Sequence, residues 1–207
     1  CPKLQIMKLH TREEILEAIK QIQYLYGLKY EIRYELTRKQ DDFSESVAEH
    51  IYGMHILCQY FLPLEDTKGE WDQNKIRQLI TWHDIDEVET GDMIGWKKTD
   101  ADRAREKEAG DRVVEKMPEV FRRDVGALLD EYDAQETSEA KFVKALDKIE
   151  PLFHLYNPLG KKLAHEVGLT FDASNRIKEP YVATFPHIKH YSETIQKIMS
   201  EEGFFIG

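Results

Sequence analysis

Cysteine is scarce: Cys1 and Cys58 are the only two, one at the first position and one inside a helical apolar pattern. This excludes a disulfide framework and a thiolate metal cluster, and it suits a reducing cytoplasm. No apolar run approaches the roughly 20 residues that span a bilayer, and the N-terminal residues hold no signal-like apolar stretch. A cytoplasmic location without a membrane partner is therefore expected. Positive charge is also in deficit, 29 Lys and Arg against 39 Asp and Glu, giving a formal net charge of -10. A surface that coats DNA or RNA needs a basic stripe to displace counterions from phosphates, so long nucleic acid is excluded as a partner. A small phosphate ester is not excluded, because a cation and a few local Lys or Arg side chains invert the field inside one pocket. Internal repeats, low-complexity tracts and any linker long enough to separate a pair of domains are missing as well.

What is there is a 207-residue chain with 41% hydrophobic and 33% charged residues, enough apolar surface to offset chain entropy around one core. A single domain over 1–207 is expected. Thr11-Arg12-Glu13-Glu14 is a capping box, followed by Ile15, Ile19, Ile22 and Leu25 at helical spacing and stopped by Gly27. From Leu28 to Leu36 apolar residues alternate, which predicts extended chain. Ser46-Val47-Ala48-Glu49 is a second capping box, and Val47, Met54, Leu57, Cys58 and Phe61 mark a buried stripe ending before Pro63. Ile76, Leu79, Ile80 and His83 form the next apolar face, on a helix that the pattern carries to Thr90-Gly91. The densely charged stretch from Trp96 to Glu108 reads as a solvated loop entering a helix near Ala104 to Met117. Further helices are predicted at about 121–132, 138–155, 159–167 and 186–200. The fold class is thus all-α.

Helical phase makes some polar residues informative. His50 lies one turn after Val47 and one before Met54, on the face that enters the core. His83 bears the same relation to Leu79 and Ile80, and Asp84 follows it directly, about 100° further round the helix. Asp147 follows Val143 by one turn at the border of the Phe142, Val143, Leu146 and Phe153 stripe, where a carboxylate is expensive without a partner. Taken singly, each has an ordinary explanation as a hydrogen-bonded core residue or an exposed acid. Together, two imidazoles and two carboxylates are a mixed N/O set suited to Mn, Co, Fe or Zn, and less selectively to Mg. Glu87, four residues after His83, projects near the same ion on a continuous helix. Asp92, just past the helix end, either meets a sugar hydroxyl or caps the turn. Lys144 reads as a member of a surface charge ladder, with contact to substrate phosphate as the alternative. Trp82, Trp96, Phe43 and Tyr52 stand near these motifs as aromatic candidates for a base pocket.

The ordered pattern resembles a known family, the HD-domain metal-dependent phosphohydrolases. Glu45-Ser46-Val47-Ala48-Glu49-His50, then His83-Asp84 with Glu87 and Gly91-Asp92, then Glu139 to Val143 with Leu146-Asp147-Lys148, resemble the 5′-deoxynucleotidase branch over about 38–155. The resemblance implies a helical bundle binding one divalent metal ion through His50, His83, Asp84 and Asp147. It implies catalysis at Glu87 alongside Asp84, and contact of Arg38 with substrate phosphate. The substrate implied is a small-molecule nucleotide, a (deoxy)nucleoside 5′-monophosphate. The rivals are a nucleotide pyrophosphohydrolase or cyclic phosphodiesterase of the same fold, an oxidative di-iron enzyme needing further ligands, and a non-catalytic, metal-stabilised interaction module. An N-terminal helix and a tail over 168–207 extend beyond the motifs; Tyr181, Phe185, Ile188 and Ile195 of the tail either cover the core or join two subunits as a homodimer.

Overall fold

The computed structural model describes residues 9–26, 31–32, 36–37, 45–93 and 95–207. Helix α1 (Arg12–Tyr26) begins at the expected capping box, the Thr11 amide donating to Glu14 at 2.6 Å and the Glu14 amide to the Thr11 hydroxyl at 3.2 Å. It buries Ile15, Ala18, Ile19, Ile22 and Tyr26, so Tyr26 takes the inward place that spacing gives to Leu25, which is exposed. Extended chain follows: β1 (Glu31–Ile32) pairs antiparallel with β2 (Leu36–Thr37), Ile32 opposite Leu36.

The second capping box starts α2 (Val47–Glu65), with the Glu49 amide donating to Ser46 Oγ at 3.3 Å and the Ser46 amide to Glu49 at 2.6 Å. The helix does not stop before Pro63 but runs past it, because a missing N–H in the last turn forfeits only one ladder bond. Helix α3 (Gln73–Trp82) is capped by Asp72, and a short α4 (Glu87–Thr90) lies beyond a turn. The charged stretch after Trp96 is mostly helix rather than loop: α5 (Asp100–Lys116) starts at a third capping box, Thr99 with Asp102. Its charges pair, Arg103 with Asp100 at 3.4 Å on the surface and the less exposed Glu106 with Lys98, just before the helix, at 2.7 Å.

Helices α6 (Glu119–Ala134) and α7 (Ser138–Leu155) follow. Helix α7 is the axis of the molecule: Ala140, Phe142, Val143, Ala145, Leu146, Ile149, Leu152 and Phe153 are all buried, and α1, α2, α3, α6 and the C-terminal helices pack round it. The tail forms α8 (Pro158–Glu166), α9 (Phe171–Arg176), α10 (Glu179–Val182) and α11 (Pro186–Glu201). Phe185, Ile188 and Ile195 join the same core cluster as α2 and α7, so the tail covers the core, while Tyr181 stays 38% exposed. Among the described residues no helix is long and apolar enough to cross a membrane.

Candidate metal centre

Three helices bring the site together. His50 stands in the first turn of α2, His83 at the C-terminal cap of α3, and Asp147 in the middle of α7. The His83-Asp84 pair is not inside a continuous helix, as spacing suggests. Helix α3 ends at Trp82, and residues 83–86 form turns closed by bonds such as Ile85 N–H to Trp82 O at 3.1 Å and Glu87 N–H to Asp84 O at 3.1 Å. Glu87 therefore opens α4, and its approach to the site depends on this turn rather than on helical phase.

Both imidazoles are pinned from behind. His83 Nδ1 lies 3.0 Å from the Ile80 carbonyl, which can only accept, so Nδ1 carries the proton and Nε2 presents a lone pair. His50 Nδ1 lies 3.0 Å from Glu150 Oε2, a fully buried carboxylate that fixes the same tautomer. The two Nε2 atoms turn toward one place. His83 Nε2 is 3.0 Å from Asp84 Oδ2 yet out of line for a hydrogen bond, leaving a buried nitrogen with no hydrogen-bond partner among the described residues. His50 Nε2 is 3.9 Å from Asp84 Oδ2 and 3.7 Å from Asp147 Oδ1. Ligands held about 2.0–2.2 Å from a zinc-sized ion stand roughly 3 to 3.6 Å from each other, so these separations fit a shared cation with small adjustment.

His50, His83 and Asp84 offer ligand atoms that all lie within 4.8 Å of one another. Asp147 reaches this group through His50; its other oxygen accepts from Tyr132 at 3.2 Å and faces Lys144 at 3.3 Å and Lys148 at 2.9 Å. The electrostatics favour a cation. Burial would lower the His50 imidazole, but Asp147 and Glu150 outweigh it and hold it well above its ordinary range. Burial would raise the Asp147 carboxyl, but Lys148 and Lys144 hold it well below. Asp84 is likewise lowered, His83 overcoming the effect of burial. A buried nitrogen lone pair facing ionised carboxylates is a donor set that a divalent ion satisfies.

The centre opens into a cavity of about 370 Å³ that is also lined by Glu45, Glu87, Asp92 and Lys98. Burial, then the charges of Asp84 and Asp92, push the Glu87 carboxyl up to about 8. Leu152, Leu155, Leu163, Val167, Leu169 and Met199 add an aliphatic part to the lining. Neither Trp82 nor Tyr52 lines the cavity; Trp82 packs on the core and on Phe121. Phe43, the Trp96 side chain and Arg38 lie outside the described residues. Lys144 is not on a surface ladder but beside Asp147 in the cavity wall. Sequence reasoning missed Glu150, for which a signal exists: it shares the inward phase of Leu146, Ile149 and Phe153, where an acid demands a partner. Lys178, which lines the cavity from the tail, carries no periodic signal.

A family model described as HD domain matches residues 26–189. Among curated proteins, 5′-deoxynucleotidase HDDC2 of Homo sapiens is 32% identical over 109 residues, 51% of this chain and 50% of that protein. The same-named protein of Xenopus laevis is 28% identical over 149 residues, 70% of this chain and 71% of that protein. The chain thus spans about half the length of the human relative it matches. A solved structure from Magnetospirillum magnetotacticum MS-1, named a predicted metal-dependent phosphohydrolase, superposes with a TM-score of 0.68 at 22% identity, covering 96% of this chain and 100% of that one. That likeness establishes the helical fold, and the matched segment takes in His50, His83, Asp84 and Asp147. By sequence model and by architecture, the chain belongs to the HD-domain family.

Proposed function

We propose that the protein is a divalent-metal-dependent phosphohydrolase that removes phosphate from (deoxy)nucleoside 5′-monophosphates. The observation that carries this reading is the pair of Nε2 atoms on His50 and His83, each oriented by a partner at Nδ1 and both facing Asp84 in a cavity that also holds Glu87. The relatives' name, 5′-deoxynucleotidase, supports a monoester substrate over the pyrophosphate or cyclic ester that other HD proteins would take. His50, His83, Asp84 and Asp147 would hold the metal. When bound, a divalent ion there supplies a Lewis acid to a phosphoryl oxygen and lowers the pKa of water at the site.

The chain's own residues supply the rest. A departing 5′ oxygen needs a proton, and Glu87, in the cavity wall beside the proposed ligands, would shuttle one to it. Asp84 serves as ligand and fixes the charge beside which Glu87 works. Lys98, Lys144 and Lys148 line the cavity and offset the negative charge that spreads over the phosphoryl oxygens. Arg38, outside the described residues, is the further phosphate contact that the family resemblance implies. Asp92, also in the wall, would accept from a sugar hydroxyl, and the aliphatic side chains would give the nucleoside an apolar surface. The whole chain acts as one domain and pairs as a homodimer in this reading; a monomeric mass by light scattering would remove the dimer.

The test is phosphate release from a panel of ribo- and deoxyribonucleoside 5′-monophosphates after chelation and reloading with manganese, cobalt, zinc, iron or magnesium. Metal-dependent free phosphate from monophosphates is expected. Turnover confined to triphosphates or cyclic esters would overturn the reading.

A further inference from the structure

Lys98, Lys144, Lys148 and Lys178 line the cavity. Three of them face carboxylates: Lys98 is 2.7 Å from Glu106, and Lys144 and Lys148 stand 3.3 and 2.9 Å from Asp147. Lys178 differs. It is 5% exposed, and among the described residues its ammonium donates only to the Ser174 hydroxyl at 3.1 Å and the Ser174 carbonyl at 3.2 Å. Both partners are neutral and lie one turn back in the chain. Among the described residues no carboxylate comes within ion-pair distance of it, although the charges of Lys148 and Asp147 act on it. A buried ammonium without an anion is costly, and a methionine of similar length would remove that cost. The counter-charge that would justify keeping the amine is one that enters the cavity.

We infer that Lys178 is a substrate-binding residue that receives the anionic group of the ester, which brings the C-terminal tail into the site. This rests on the phosphomonoester reading above. Lysine serves phosphate as a point charge, and Ser174 Oγ beside it adds a second donor. Leu169, Ile177 and Met199 in the same wall keep the surroundings apolar, so the pairing is screened little by water. Burial lowers the amine to about 7, so an arriving anion also draws a proton onto it.

The experiment uses the metal-loaded full chain, with Lys178→Met and Lys178→Arg beside the wild type. Inorganic phosphate binding is measured by calorimetry, and KM and kcat with a deoxynucleoside 5′-monophosphate. Lys178→Met is expected to weaken phosphate binding and raise KM by about 10- to 100-fold, with kcat changed less. Metal content should be preserved and the melting temperature should hold or rise, since the variant removes a buried charge. Lys178→Arg should restore some of the binding. Unchanged phosphate binding and KM in Lys178→Met would overturn the inference while leaving the enzyme reading intact. If the wild type hydrolyses no monophosphate but binds phosphate in a Lys178-dependent way, the enzyme reading falls, and with it the ester as ligand, while Lys178 stands as an anion-binding residue. If the wild type does neither, both fall.

Discussion

His50 reaches back from the centre to Glu150, Nδ1 to Oε2 at 3.0 Å, and Glu150 has no exposed surface at all. The charge of this carboxylate raises the basicity of the imidazole and fixes which nitrogen faces the cavity. Glu150→Gln keeps the size and an accepting oxygen but loses the charge. Metal affinity is expected to drop about 10- to 100-fold with the helical content retained. Competition against a chelator of known affinity measures it, and an unchanged affinity would remove Glu150 from the site.

Glu87 opens α4 in the cavity wall and is not one of the proposed ligands. Glu87→Gln should therefore bind metal as the wild type does and lose about 100- to 10,000-fold in turnover, the range that general acid–base catalysis contributes. Metal analysis and phosphate release on the same preparation check it. Normal turnover would exclude Glu87 from proton transfer.

The corner between α7 and α8 depends on Gly160. A methyl group there would overlap the backbone carbonyl of Leu155, which has no freedom to swing aside. Gly160→Ala is expected to destabilise by about 1–3 kcal/mol, the usual cost of overpacking. Because Leu155 and Leu163 line the cavity, KM should rise as well. Chemical denaturation with parallel kinetics would show both effects.

How much of the fold is legible in the residues depends on which periodicity they carry. Helix α7 occupies the predicted 138–155, because its apolar positions run uninterrupted and Thr137 caps it. His50 and His83 face inward as their phase requires. The break after Trp82 leaves no mark in the spacing. His83 keeps right-handed helical angles, φ -59 and ψ -30, while the following bonds shorten from four residues to three. The chain turns without losing its apolar rhythm. In the charged stretch the Thr99-Asp102 box is a usable signal, but mixed charge suits a solvated helix as well as a loop and does not choose between them. Lys178 is illegible because α9 and α10 have 6 and 4 residues, too short to carry a phase.

Lys178 also gives stability a pH dependence. The unfolded chain holds the lysine proton up to its ordinary value of 10.5, whereas the folded chain releases it near 7. Unfolding takes up a proton between these limits, so this group makes the fold more stable as pH rises through that window. The urea midpoint of the wild type should climb from pH 7 to pH 9 relative to Lys178→Met. Parallel curves for the two proteins would contradict the burial of a titrating amine.

The grip of the Ile80 carbonyl and the Glu150 carboxylate on the two rings has a bearing on the order of events. Each ring is set by contacts made as α2, α3 and α7 close on one another, so the cost of arranging the rings belongs to folding and not to ion capture. Assembly and loading become separable steps, unlike small zinc modules in which the metal creates the fold. A chelated preparation should keep its circular dichroism spectrum, and exchanging one cation for another should leave the helices undisturbed.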